Sequence, residues 1–321
     1  IDDVNIANGA SVTANANISA ANIDVGTGVS GVLSVGSGVT VSSTVNLADN
    51  STLNLNNTAS VSGAINGAAS GQGKVSVVAS GAVTQASSIG ATTKIKTLEL
   101  AANSTYTVGA NTLKADETVL SSGATMNIAA GTLETTIKGS SNDVGTVNLT
   151  ANRTVASGTF LGTSGAALNQ LNLSASTAVS LNENVVATTT AFGNSAQATL
   201  AASKSITGNV TLANTASTLV LSNGSSVVGT INGATAADQG VLNIASNAGV
   251  SLAGNVGATN ALRSVVVSDG ATLTTGANQL RVHATNGLIS LGTGSALVIG
   301  TGAVSGNAID GSGAARGRVL F

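Results

Sequence analysis

The stretch from Leu221 to Val267, LSNGSSVVGTINGATAADQGVLNIASNAGVSLAGNVGATNALRSVVV, decides the fold. Leu221, Val227 and Ile231 return as Ile244, Val250 and Val256, then as Val267, Leu273 and Leu280, and again as Leu291, Leu297 and Val304. The steps are 23 to 25 residues, and the three families advance together. A helical bundle has no reason to produce such a translation. A chain wound into a coil with three short strands per turn does, because each inward residue stacks on its equivalent one turn later. The reading is all-β: a parallel β-solenoid of about 24 residues per turn, with three short strands in each turn.

Shorter signals agree. Val45-Asn46-Leu47, Leu53-Asn54-Leu55, Leu98-Glu99-Leu100 and Val265-Val266-Val267 carry apolar residues at i and i+2, which places them on one face of a strand. Asn66-Gly67, Asn223-Gly224, Asn232-Gly233 and Asp269-Gly270 read as turns. Asn-Gly is also a hairpin signal. Hairpins, however, would mirror their residues about each turn, whereas these recur by translation. Residues 60–115 resemble residues 226–281, and a looser third copy puts Phe160 in the place of Ile231 and Leu173 in that of Ile244. The copies are displaced by 71 and 96 residues, close to three and four turns of 24. Earlier ladders run through Leu55, Val77 and Leu100, through Val61, Val83 and Tyr106, and through Ile65, Ile89 and Leu113. Leu149 to Leu173, Val155 to Val179 and Phe160 to Val185 continue them, with drift near residues 120–130 and 190–205. The chain reads as one continuous solenoid over residues 1–321.

Composition narrows the function. Only 24 of the 321 residues are charged, 11 basic and 13 acidic, yet abundant Val, Ile and Leu exclude disorder. Lys94 with Lys96 and Arg316 with Arg318 are the only close basic pairs, and there are three Phe, one Tyr and no Trp, so nucleic acid is not an expected partner. Cysteine is absent, which leaves the chain indifferent to redox compartment. No apolar run approaches the ~20 residues of a membrane helix. The chain opens at Ile1 without a signal-like start and reads as a fragment or processed product.

Candidate chemistry is sparse. Gly26-Thr27-Gly28-Val29-Ser30-Gly31 spells a dinucleotide-binding pattern, but Val32-Leu33-Ser34-Val35 after it reads as a strand, where that chemistry needs a helix. Asp2, Asp3, Asp24, Asp116, Glu117, Asp269 and Asp310 lack the spacing of a calcium site and read as solvated turn carboxylates. His283 is the only histidine and reads as an outward residue of a strand-like stretch. Lys94, Lys96 and Glu99 are the nearest approach to the basic and acidic cluster of a polysaccharide-cleaving solenoid, and read as a solvated edge. Asn66, Asn232, Asn111, Asn278, Asn184 and Asn255 hold equivalent places in the copies and are expected to bond from rung to rung. No catalytic, cofactor-binding or metal-binding residue is assigned. Substitution of Asp238 is expected to be nearly silent.

The blocks Ile65-Asn66-Gly67-Ala68 to Ile89-Gly90-Ala91-Thr92 and Ile231-Asn232-Gly233-Ala234 to Val256-Gly257-Ala258-Thr259, in a Gly-, Asn- and Thr-rich chain, resemble passenger domains of bacterial autotransporters, above all the rickettsial outer-membrane-protein type of surface antigen. The resemblance implies a right-handed coil displayed outside the bacterial cell, part of a larger surface protein tethered to the outer membrane by sequence not included here. It implies a non-enzymatic structural or adhesive role, with host or bacterial surfaces, or further copies of the chain, as partners. The alternatives are a self-assembling envelope layer or filament subunit, and, third, a polysaccharide-acting β-helix enzyme.

Overall fold

The structure, a computed structural model, describes residues 2–28, 30–311 and 316–321. Among them are 35 strands and no helix, and every strand-to-strand pairing is parallel. They gather into two compact units, residues 1–148 with 158–169, and residues 149–157 with 170–321.

In the first unit, strands Ser11–Ala14, Val32–Val35, Thr52–Leu55, Gln72–Val77, Ile95–Leu100, Leu113–Leu120 and Leu133–Gly139 build one side of the coil. Their inward residues stack as Ala14, Val35, Leu55, Val77, Leu100 and Leu120, each 0–4% exposed. A second column, Ile23, Val45, Ile65, Ile89, Leu113 and Leu133, lines another side. The third holds Val83, Tyr106 and Met126. In the second unit, Val155, Leu181, Leu200, Leu221, Ile244, Val267 and Leu291 form one unbroken column. Val250, Leu273 and Leu297 form another, and Ile231, Val256, Leu280 and Val304 a third. Alternation explains the filling: strand after strand reads half-buried, buried, half-buried, buried, so i and i+2 enter the core while i+1 faces out.

Turns are about 21 residues apart rather than about 24. The difference lies at one corner. Where a turn is long, a loop projects between two strands, as between Ile65–Gly67 and Gln72–Val77 or between Ile231–Gly233 and Val241–Ile244. Where it is short, the loop is replaced by a bend inside one strand, with a register shift between Lys114 and Glu117, Val186 and Thr189, or Ser19 and Asn22. The bent strands Leu113–Leu120, Val185–Phe192 and Ser205–Leu212 account for the drift seen around residues 120–130 and 190–205.

Three registers and one turn assignment differ from the sequence reading. Val155 pairs with Leu181, and Arg153 with Val179. Both Val179 and Leu181 point inward, and a slip of two residues preserves the face, so alternation cannot reveal it. Phe160 is half-buried, and its neighbour Leu161 takes the inward place beside Ile137. The Gly193 amide donates to the Leu173 carbonyl as the Ala213 amide does to Phe192, so Leu173, Phe192, Leu212 and Gly233 form one column. Ile244 belongs to another. Three turns from Leu173 end at Gly233, 60 residues on, so a 71-residue shift is three turns plus one side of the coil. The sides carry nearly the same pattern, which hides the offset. Finally, Asn66-Gly67 and Asn232-Gly233 end strands instead of forming turns. A Cβ on Gly67 would lie 2.5 Å from the Ala69 carbonyl oxygen, so glycine there lets the loop fold back over the strand.

Candidate functional site

Charge is concentrated in the first unit. Nine of the 24 charged residues fall between Lys74 and Lys138, on or beside four successive strands of one side, Gln72–Val77, Ile95–Leu100, Leu113–Leu120 and Leu133–Gly139. The inward positions are taken by the apolar columns, so these side chains are forced out. The register runs Lys74, Thr97, Glu117, Thr136 in one outward column and Ser76, Glu99, Val119, Lys138 in the next. Opposite charges therefore meet diagonally. Lys74 Nζ lies 3.0 Å from Glu99 Oε2, and Lys138 pairs with Glu117. At the corner, Lys94 lies 3.3 Å from Asp116 and 4.0 Å from Glu134, and Lys114 lies 3.4 Å from Glu134, its partner in register. Lys96 is exposed and, among the described residues, enters no ion pair; it borders a shallow open depression with Asn50, Thr52 and Lys74. The paired side chains are 27–54% exposed, so each pair contributes only about 0.2–1 kcal/mol.

The second unit has two smaller clusters. Arg263 Nη1 lies 3.1 Å from Asp238 Oδ1, Asn286 donates to Asp238 Oδ2 at 3.2 Å, and the Asn286 amide donates to His283 Nδ1 at 3.2 Å. Partial burial pushes the Asp238 carboxyl up, but hydrogen bonds from Arg263 and Asn286, with the charges of Arg263 and His283, outweigh it and hold the group below the usual carboxylate range. Asp238 sits at φ 70°, a left-handed conformation unusual for a residue with a side chain. Farther along, Glu183 is 8% exposed and accepts from Lys204 at 2.9 Å and from Ser157 Oγ at 3.1 Å. Nothing in the local sequence singles out Glu183. The available signal is spacing: Glu183 and Lys204, like Glu117 and Lys138, are opposite charges 21 residues apart, one turn.

The residues weighed from sequence are dispersed. Gly26 to Gly31 follows strand Ile18–Val25 and precedes strand Val32–Val35, with no helix between; Val29 lies outside the described residues. Asp3 accepts from Asn22, Asp24 from Asn46, and Asp269 from the Thr293 amide, while Asp116 and Glu117 are in ion pairs. Asp310 is exposed on the strand Ala308–Gly311. Among the described residues no three His, Cys, Asp or Glu side chains are placed to hold a metal ion. His283 begins a corner turn, not a strand. Lys94, Lys96 and Glu99 are brought onto one side, with Asp116 and Glu117 on the neighbouring strand.

The asparagines bond rung to rung, mostly to main chain. Asn66 Oδ1 accepts from the Thr92 amide at 3.3 Å and Asn232 Oδ1 from Thr259 at 3.0 Å. Asn111 and Asn278 donate to the Gln85 and Leu252 carbonyls at 2.9 and 2.7 Å, and Asn184 and Asn255 accept from the Ser205 and Gln279 amides at 2.9 and 2.8 Å. Equivalent residues in the copies thus make equivalent bonds.

Fold and surface together define a parallel β-solenoid with apolar columns inside and most of its Lys, Arg, Asp and Glu side chains outside them, several of these paired across successive turns. Comparison with protein families, curated proteins and solved structures finds no match to this chain.

Proposed function

We propose that the chain is a non-enzymatic structural or adhesive protein of the bacterial cell surface, a passenger stalk of the autotransporter kind held at the outer membrane by further sequence. The observation that carries this reading is the division of labour in the coil. Apolar columns fill the inside, while the charged side chains between Lys74 and Lys138 stand on an open sheet face. Such faces suit broad contact with another surface better than they suit a reacting centre, which needs groups converging on a sheltered substrate. Beads coated with the chain are expected to adhere to host or bacterial cells above uncoated beads; adhesion no greater than theirs contradicts an adhesive role. Release of new products from acidic polysaccharides incubated with the chain would contradict the non-enzymatic part.

A second reading, a self-assembling layer or filament subunit, is favoured by one feature. Along the sheet from Ala178–Leu181 to Leu288–Leu291, no outward residue is Asp, Glu, Lys or Arg. Copies meeting there face no charge repulsion. Concentration-dependent sedimentation supports this reading, and a monomer at all concentrations removes it.

A further inference from the structure

The charged side of the first unit recurs in part in the second. Residues 60–115 and 226–281 are copies, and their main chains agree in detail: the Lys114 amide donates to the Ile89 carbonyl at 2.9 Å, and the Arg281 amide donates to Val256 at 2.9 Å. Lys96 stands one residue before Thr97, which pairs with Lys74, and Arg263 stands one residue before Ser264, which pairs with Val241. Lys96 therefore corresponds to Arg263 and Lys114 to Arg281. Every other charge in the first copy is lost: Lys74 becomes Val241, Lys94 becomes Ala261 and Glu99 becomes Val266. In a chain with 11 basic residues among 321, two basic positions held through both copies mark a shared requirement.

No ion pair is common to both copies, although Arg263 pairs with Asp238 and Lys114 with Glu134. Lys96 is in none among the described residues, and Arg281 reaches the Ala258 carbonyl at 3.4 Å instead of a carboxylate. Resting on the reading of the chain as a surface protein that contacts partners, we infer that this side of the first unit binds a linear polysaccharide carrying carboxylate or sulfate groups, with Lys96 and Lys114 as its anion contacts; Arg263 and Arg281 hold the equivalent places within the second unit. The surrounding chemistry selects this class. Five of the 11 basic residues lie on this side of the first unit, interleaved with Glu99, Asp116, Glu117 and Glu134. A single-stranded nucleic acid would find no aromatic platform here, since none of the four charged strands carries Phe, Tyr or Trp. A glycan alternates anionic groups with hydroxyls, and the interleaved carboxylates are acceptors for the hydroxyls while the cations take the anions. Rungs repeat every ~4.8 Å along the coil, a periodic array that suits a periodic chain. The existing ion pairs are half-exposed and weak, so a multivalent anion displaces them readily.

The test uses the full chain with three probes: a heparin-type sulfated oligosaccharide, oligogalacturonate and neutral dextran, titrated calorimetrically at low and physiological salt. Binding to at least one anionic probe, none to dextran, and weakening with salt are expected. K96A/K114A should lower affinity at least tenfold with an unchanged melting temperature, K96R/K114R should keep it, and R318A, on an exposed strand off this side, should leave it unchanged. Absence of binding to both anionic probes at low salt overturns the inference, as does equal binding to dextran or equal loss in R318A. Bead adhesion that survives in K96A/K114A would discard the glycan site while leaving the adhesive reading standing.

Discussion

Ile244 shows what a single position in this coil does. It is fully buried, with Leu221 beneath it and Val267 above, so it has apolar neighbours along the column and no polar partner. Ile244→Asp places an unpaired carboxylate there and is expected to destabilise by about 3–5 kcal/mol, measured by chemical denaturation. A loss below about 1 kcal/mol, the scale of an ordinary surface substitution, would mean that the column is not closed. Asp238 is the opposite case. From sequence its substitution is expected to be nearly silent; the structure gives it Arg263, Asn286 and a left-handed backbone. Its carboxyl is held below the unfolded value of about 3.9, so its contribution is fully present above that pH and fades as pH falls through the lower folded value. Chain and D238N should therefore differ in stability at pH 6 and converge as pH drops below about 4. A difference that persists or grows in acid would contradict the assignment. Asp238 was illegible because its partners lie 25 and 48 residues away, on successive turns.

At the scale of strands and corners, alternation was legible and corner chemistry was not. The inward columns from Leu221 to Leu291 and from Ile65 to Leu113 can be written down from spacing alone, because apolar residues at i and i+2 admit only one face. The period was overestimated because the clearest copies lie where loops lengthen the turn; bent strands such as Leu113–Leu120 carry no Gly or Asn to mark the corner. The charged side was hidden for a related reason. Lys74 and Glu99, or Lys94 and Asp116, are far apart in sequence and meet only when the turns are stacked. This predicts two unequal insertions. Two glycines added within the corner loop at residues 234–237 should shift the melting temperature little, since the loop is exposed. One residue added inside Val241–Ile244 turns the rest of that strand inside out and should abolish cooperative melting. Equal effects of the two would deny that strand register and loop length are independent.

For the molecule as a whole, stability arises from each turn packing on its neighbours. Aliphatic columns contribute roughly 25 cal/mol per Å² buried, and internal strands have both edges paired. This frees the outside: its residues answer to contact with partners, not to folding, which is why the same outward positions hold Lys and Glu in one copy and Val and Ala in the other. The outward faces exist only because one turn stacks directly on the next in parallel. The absence of cysteine allows a clean measurement of it. Thr218 and Val241 are outward neighbours one turn apart, and Ser264 lies one turn beyond Val241. Adjacent parallel strands are ~4.8 Å apart, within disulfide reach, and strands two turns apart are at ~9.6 Å, beyond it. Oxidation of T218C/V241C, read by mass spectrometry of the digested chain, is expected to give the internal cross-link, while T218C/S264C stays reduced; a cross-link in T218C/S264C, or none in T218C/V241C, would contradict the parallel coil.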